Sequence, residues 1–109
     1  MNSPAVAEIL HLAHGVEPAE RDQVVAALAR LDERLHAFEA GTVKLQLGIK
    51  ERGTPSQRTI LEAWLPGHPP IVATSTQLTF EAAIGEVRDE MVRQITEVKD
   101  RAESRRDRS

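Results

Sequence analysis

The chain has 109 residues, of which 40% are hydrophobic and 28% charged, with a formal net charge of −3, the profile of one globular domain with a modest core. It has no cysteine, so structural disulfides and thiolate metal sites are excluded, and no apolar run approaches the length of about 20 residues that spans a bilayer. No basic segment followed by an apolar block opens the chain, so a cytoplasmic location is expected.

The charge is unevenly spread. Residues 1–41 carry three arginines against seven acids, for −4; residues 42–76 carry four basic residues against two acids, for +2; residues 77–109 carry seven against eight, for −1. The whole-chain field repels a phosphate backbone at long range, so any nucleic-acid contact has to come from local clustering.

In chain order, Ile9-Leu10-His11-Leu12-Ala13 fits either a short strand ended by Gly15 or a helical turn begun at Ser3-Pro4, with the strand preferred. Pro18 suits the first turn of a helix, where its missing amide costs nothing, and Val24, Leu28, Leu31, Leu35 and Phe38 then recur at helical spacing up to Gly41. From Thr42 the period changes: Val43, Leu45, Leu47 and Ile49 alternate with Lys44, Gln46, Gly48 and Lys50, a strand with one buried face and one wet, basic face. Arg52-Gly53-Thr54-Pro55-Ser56 is a turn. Residues Gln57 to Leu65 form a second strand with Thr59, Leu61, Ala63 and Leu65 on one face and Arg58, Ile60, Glu62 and Trp64 on the other. The Pro66-Gly67-His68-Pro69-Pro70 reversal leads to a third short strand, Ile71 to Ser75, completing an antiparallel meander.

The last element dominates. From Thr79 to about Arg101, Phe80, Ala83, Ile84, Val87, Met91, Ile95 and Val98 recur every three or four residues and lay one apolar stripe along a helix. Thr79 is placed to cap its first turn, with Glu81 near the positive end of the dipole and Lys99 and Arg101 near the other end. The predicted class is α+β: two layers in the order β-α-β-β-β-α, with two helices on one face of a three- to four-stranded sheet. Residues 1–101 are expected to form the single domain and residues 102–109 a charged tail that extends the helix into solvent.

Catalytic signals are nearly absent. The four histidines, His11, His14, His36 and His68, lack metal-site spacing, although His11 and His14 would share a face if their stretch were helical. No nucleophile elbow, phosphate-cradling glycine loop or paired-carboxylate motif is present. No enzyme activity, cofactor, metal or small-molecule substrate is expected.

Three stretches carry a family resemblance. AAIGEVRDEMVRQITEVK resembles the last helix of the ribosome hibernation-promoting factor family, also called the ribosome-associated inhibitor family, with Ala83-Ile84, Asp89, Met91, Arg93-Gln94, Ile95 and Lys99 in place. RTILEAWLPGHPPIVA is similar to that family's third strand, Pro-Gly turn and fourth strand. RDQVVAALARLDERLHAF matches its first helix through Arg21-Asp22, Leu28, Arg30-Leu31 and Arg34. Together they cover roughly residues 9–101. The resemblance implies a fold like that of a double-stranded-RNA-binding domain. It also implies a protein that binds the small ribosomal subunit in the channel used by messenger and transfer RNA, and holds ribosomes inactive under stress or in stationary phase.

By the same resemblance, Arg21, Arg30, Arg34, Arg58, Arg93 and Lys99 are candidates for rRNA phosphate contacts; Lys44 and Lys50, on the wet strand face, are added from the alternation alone. The chain departs from the family pattern at Gly85, where the family has Asp, and at Thr96-Glu97, where it usually has a basic pair. Trp64, the single tryptophan, is read as filling the edge of the sheet core or else as a platform for base stacking or a partner. If Ile60, Trp64 and Ile71 form an exposed apolar patch, the alternative is a non-ribosomal protein-interaction module, for example a homodimer joined through its sheet.

Overall fold

The computed structural model describes residues 5–35, 38 and 42–107, with side chains as far as Arg101. Ser3-Pro4, His36 and Gly41, which figure in the reading above, lie outside the described residues. The elements in order are α1 (Val6–Ile9), β1 (Leu10–Leu12), a 3-10 turn (Pro18–Glu20), α2 (Arg21–Leu28), α3 (Leu31–Leu35), β2 (Lys44–Lys50), β3 (Arg58–Trp64), β4 (Ile71–Ser75) and α4 (Phe80–Asp107). The four strands lie in sequence order in one sheet; β1 runs parallel to β2 and the other pairs are antiparallel. The class is α+β, as predicted.

Strict alternation in β2, β3 and β4 sends Leu45, Leu47, Ile49, Leu61, Ala63, Ile71 and Ala73 into the core, because successive side chains on a strand point to opposite faces. The helices cover that face. Ala83, Ile84, Val87, Met91 and Ile95 of α4 are buried, with Phe80 and Val98 packed against the same cluster; each large aliphatic side chain so placed contributes about 1.5–3 kcal/mol. Thr79 caps α4 as expected, its Oγ1 accepting the Ala82 amide at 3.3 Å. At the other end the helical backbone runs on to Asp107.

Two local features differ from the sequence reading. The stretch around residue 9 is both alternatives at once, a single turn of helix followed directly by a three-residue strand. The long first helix is broken: after Leu28 the backbone tightens into 3-10 geometry, with Ala29 N bonded to Ala26 O and Asp32 N to Ala29 O. Bonds from other elements occupy groups at the break, since Asp32 Oδ1 accepts the Val6 amide at 2.8 Å and Arg88 donates to Ala27 O at 3.5 Å. Val24, Leu28, Leu31 and Leu35 stay buried across it.

Pairing between β1 and β2 continues past the strand itself, through Ala13 N to Leu47 O and Ile49 N to His14 O. The chain then turns away at Gly15, whose φ of +86° is open to glycine, and a Cβ there would stand 2.1 Å from Ile49 O. This position requires glycine.

Candidate nucleic-acid interface

The face of the sheet turned away from the helices gathers Lys44, Gln46, Gly48 and Lys50 from β2, Arg58, Ile60, Glu62 and Trp64 from β3, Val72 and Thr74 from β4, and His11 from β1. The register sets their neighbours. Lys44 lies directly across from Trp64, Gln46 from Glu62, Gly48 from Ile60 and Lys50 from Arg58, while His11 sits beside Gln46. Two cations opposite each other on a ladder repel, an arrangement that an anionic partner relieves. Lys44, Lys50 and Arg58 are exposed, and none has an ion-pair partner among the described residues.

The helical side is different. Arg21 is half-buried and donates to Leu10 O at 3.1 Å and Ala7 O at 2.8 Å, stapling α1 and β1 to α2. Arg30 lies 4.0 Å from Asp89. Arg93 is held on both sides, bonded to Glu90 and, at 2.7 Å, to Glu97; the bond to Arg93 holds the Glu90 carboxyl below its ordinary range, and Glu90 raises the Arg93 guanidinium. Arg34 and Lys99 are exposed and have no ion-pair partner among the described residues, at the far ends of α3 and the packed part of α4. Of the eight candidate cations, the fold therefore sets three on one face of the sheet, with Lys50 and Arg58 side by side, and leaves the five helix candidates apart, Arg30 and Arg93 facing acids and Arg21 bonded to backbone carbonyls.

Two readings made from sequence are corrected here. Trp64 does not fill the sheet core; it stands half-buried on the open face, because it shares the parity of Arg58 and Glu62. Ile71 belongs to no exposed patch, being 4% exposed on the core side; the apolar residue of β4 on the open face is Val72, 45% exposed.

Arg52, read from sequence only as a turn residue, is the clamp that fixes the hairpin end of this face. Its guanidinium donates to Gly15 O at 2.9 Å and to both Glu20 carboxylate oxygens at 2.7 and 2.6 Å, and it lies 4.8 Å over the Phe80 ring. The Arg52 bond outweighs partial desolvation and holds the Glu20 carboxyl well below its ordinary value, at about 2. Buried Gln57 completes the support, accepting the Gly53 amide and donating to Gln77 O and Leu78 O. No spacing in the sequence marks these partners, since Glu20 and Arg52 are 32 positions apart.

Among the described residues no group of three or more His, Asp or Glu side chains is placed to hold a metal, and no helix is long and apolar enough to cross a membrane. No protein-family model matches the chain, and no curated protein matches it either. Solved structures do. The crystal structure of the Thermus thermophilus Protein Y N-terminal domain is similar with a TM-score of 0.58 and 23% identity, over 83% of this chain and 98% of that one. A ribosomal subunit interface protein from Coxiella burnetii is similar with a TM-score of 0.54 and 15% identity, over 84% and 97%. The fold is that of the ribosome-interface proteins.

Both neighbours match the hibernation-promoting factor family that the sequence resembles. At these identities the likeness is one of fold, and on that fold three cations unpaired among the described residues, Lys44, Lys50 and Arg58, share one face of the sheet.

Proposed function

We propose that this protein is a non-enzymatic, cytoplasmic ribosome-binding factor that docks on the rRNA of the small subunit, occupies the path of messenger and transfer RNA, and keeps the ribosome idle. The reading needs no cofactor; its mechanism is occupancy. Basic side chains position the domain on phosphates, and the bound volume excludes the translating RNAs.

The observation that carries the reading is the row of cations without ion-pair partners among the described residues, Lys44, Lys50 and Arg58, on one face of a ribosome-interface fold. A chain of net charge −3 gains little from its long-range field, so local cations on one face are what an RNA surface would meet. The helix cations implied by the resemblance contribute less on this reading, because Arg21 is used internally and Arg93 is neutralised by two glutamates.

The test is co-sedimentation of the purified protein with small ribosomal subunits at low and at physiological salt. The wild type and an Arg93→Glu/Lys99→Glu variant are expected to travel with the subunit, and a Lys44→Glu/Lys50→Glu/Arg58→Glu variant to remain at the top of the gradient at physiological salt. A wild type that never sediments with the subunit overturns the ribosomal role. A triple variant that binds as well as wild type overturns the sheet face as the contact.

A further inference from the structure

The open face is not flat. At the start of β2 a groove of about 880 Å³ is lined by Glu8, His11, Lys44, Gln46 and Trp64. A second depression of about 250 Å³ continues from Gln46 over Gly48, between His14 on one side and Ile60 and Glu62 on the other, to Lys50. Gly48 has no side chain to fill this passage; a Cβ there would lie in ordinary contact with Ala13 Cβ and His14 O, each at 3.5 Å. The two depressions share Gln46 as a lining residue and follow one another along β2 as a trough, about 20 Å from Lys44 to Lys50 at strand rise.

We propose that this trough holds an unpaired RNA strand, with one base stacked on the Trp64 indole and the backbone phosphates met by Lys44 at one end and by Lys50 and Arg58 at the other. The proposal rests on the ribosomal reading for its choice of RNA, and deepens it by assigning the trough to a single strand. An indole offers its face only to a base that has left its stack, and base-on-aromatic stacking beside a basic groove is how single strands are held. A duplex presents stacked bases and is read by shape across its minor groove, for which a narrow trough with one aromatic wall is the wrong form. A second copy of the chain is the poorer occupant. A two-fold pairing of sheets would set the cations Lys44, Lys50 and Arg58 of one copy against the same set on the other, with Glu62 as the single acid among them on the strands, and like charges facing each other oppose docking.

Trp64 is the single tryptophan, so its emission reports on the trough without a label. The full chain is titrated at low salt with an oligouridylate of about eight nucleotides, within the range of single-strand site sizes. The expected result is saturable quenching that weakens as salt rises. Anisotropy of a labelled oligonucleotide should show Trp64→Ala binding about tenfold or more weaker, Trp64→Phe recovering most of the loss, and an RNA duplex of equal length competing poorly. Absent quenching at low salt, unchanged affinity in Trp64→Ala, preference for the duplex, or emission that changes with protein concentration alone, the mark of self-association through this face, would each overturn the trough. Failure here is separable from failure of the ribosomal role: no oligonucleotide binding with intact co-sedimentation overturns the trough alone, and oligonucleotide binding without co-sedimentation overturns the ribosomal role alone.

Discussion

Arg52 ties three separate pieces of chain together, the β2–β3 turn, the 3-10 turn at Glu20 and the first residue of α4 at Phe80. The ion pair is partly wet, with side-chain exposures of 33% and 22%, so solvent screening keeps its worth modest. Arg52→Ala is expected to lower the unfolding free energy by about 1 kcal/mol near neutral pH. The pH dependence has a definite sign. Glu20 has a folded pKa of about 2 against an ordinary 4.5, so the pair's contribution is present in full above 4.5 and is lost as pH falls toward 2. Urea unfolding at pH 6 and at pH 2.5 should therefore show the gap between wild type and Arg52→Ala closing at the lower pH. A second residue points the other way. Thr59 is fully buried on the core side of β3, and its Oγ1 finds no hydrogen-bond partner among the described residues. Thr59→Val removes an unsatisfied hydroxyl from a site of the same shape and is expected to raise stability by about 1 kcal/mol in the same unfolding measurement.

Among the elements, α4 was the most legible from sequence. Its period of three and four, its Thr79 cap and its buried stripe all follow from side-chain spacing and end effects that act within one helix. It carries one local flaw. Gly85 sits in its second turn, where glycine costs about 0.5–1 kcal/mol relative to alanine. A Cβ built there would meet only the end of the flexible Arg88 side chain, at 3.8 Å. Gly85→Ala is expected to recover that 0.5–1 kcal/mol, read as a rise in midpoint without a change in slope in a denaturant titration. The first helix was legible only in its buried positions. Its break at Ala29–Arg30 follows no glycine or proline; the groups around it bond to Val6 and Arg88, which come from elements 26 and 61 positions away. The strand faces were legible from alternation, but a period of two states only that two faces differ. Alternation set Trp64 on the face of Arg58 and Glu62, but it could not say how far a side chain on that face would be covered; Trp64 is half-buried there and Val72 is exposed.

For the molecule as a whole, the prediction concerns salt. If three phosphates are met by Lys44, Lys50 and Arg58, the Lys44→Gln/Lys50→Gln/Arg58→Gln variant should bind a single strand with a log affinity against log salt slope shallower by about 2, since each contact on a single strand contributes about 0.7. Arg93→Gln should leave the slope unchanged, because that guanidinium is already held by Glu90 and Glu97. The comparison is a titration series across salt concentrations, and an equal slope for all three proteins would remove the sheet face from the contact.

The amino-acid sequence by itself determined the α+β class, the order of the major elements, the apolar faces and the absence of cysteine chemistry, because periodicity, turn residues and composition act locally along the chain. Tertiary structure decided which cations are free to meet a partner. Arg21 and Lys50 look alike in the sequence, each a basic residue on a polar face. Folding turns Arg21 onto Leu10 O and Ala7 O, 11 and 14 positions away in other elements, and sets Lys50 directly across from Arg58 with no acid to pair it. Charge is a property of the residue, but its availability is a property of the neighbours that the fold supplies.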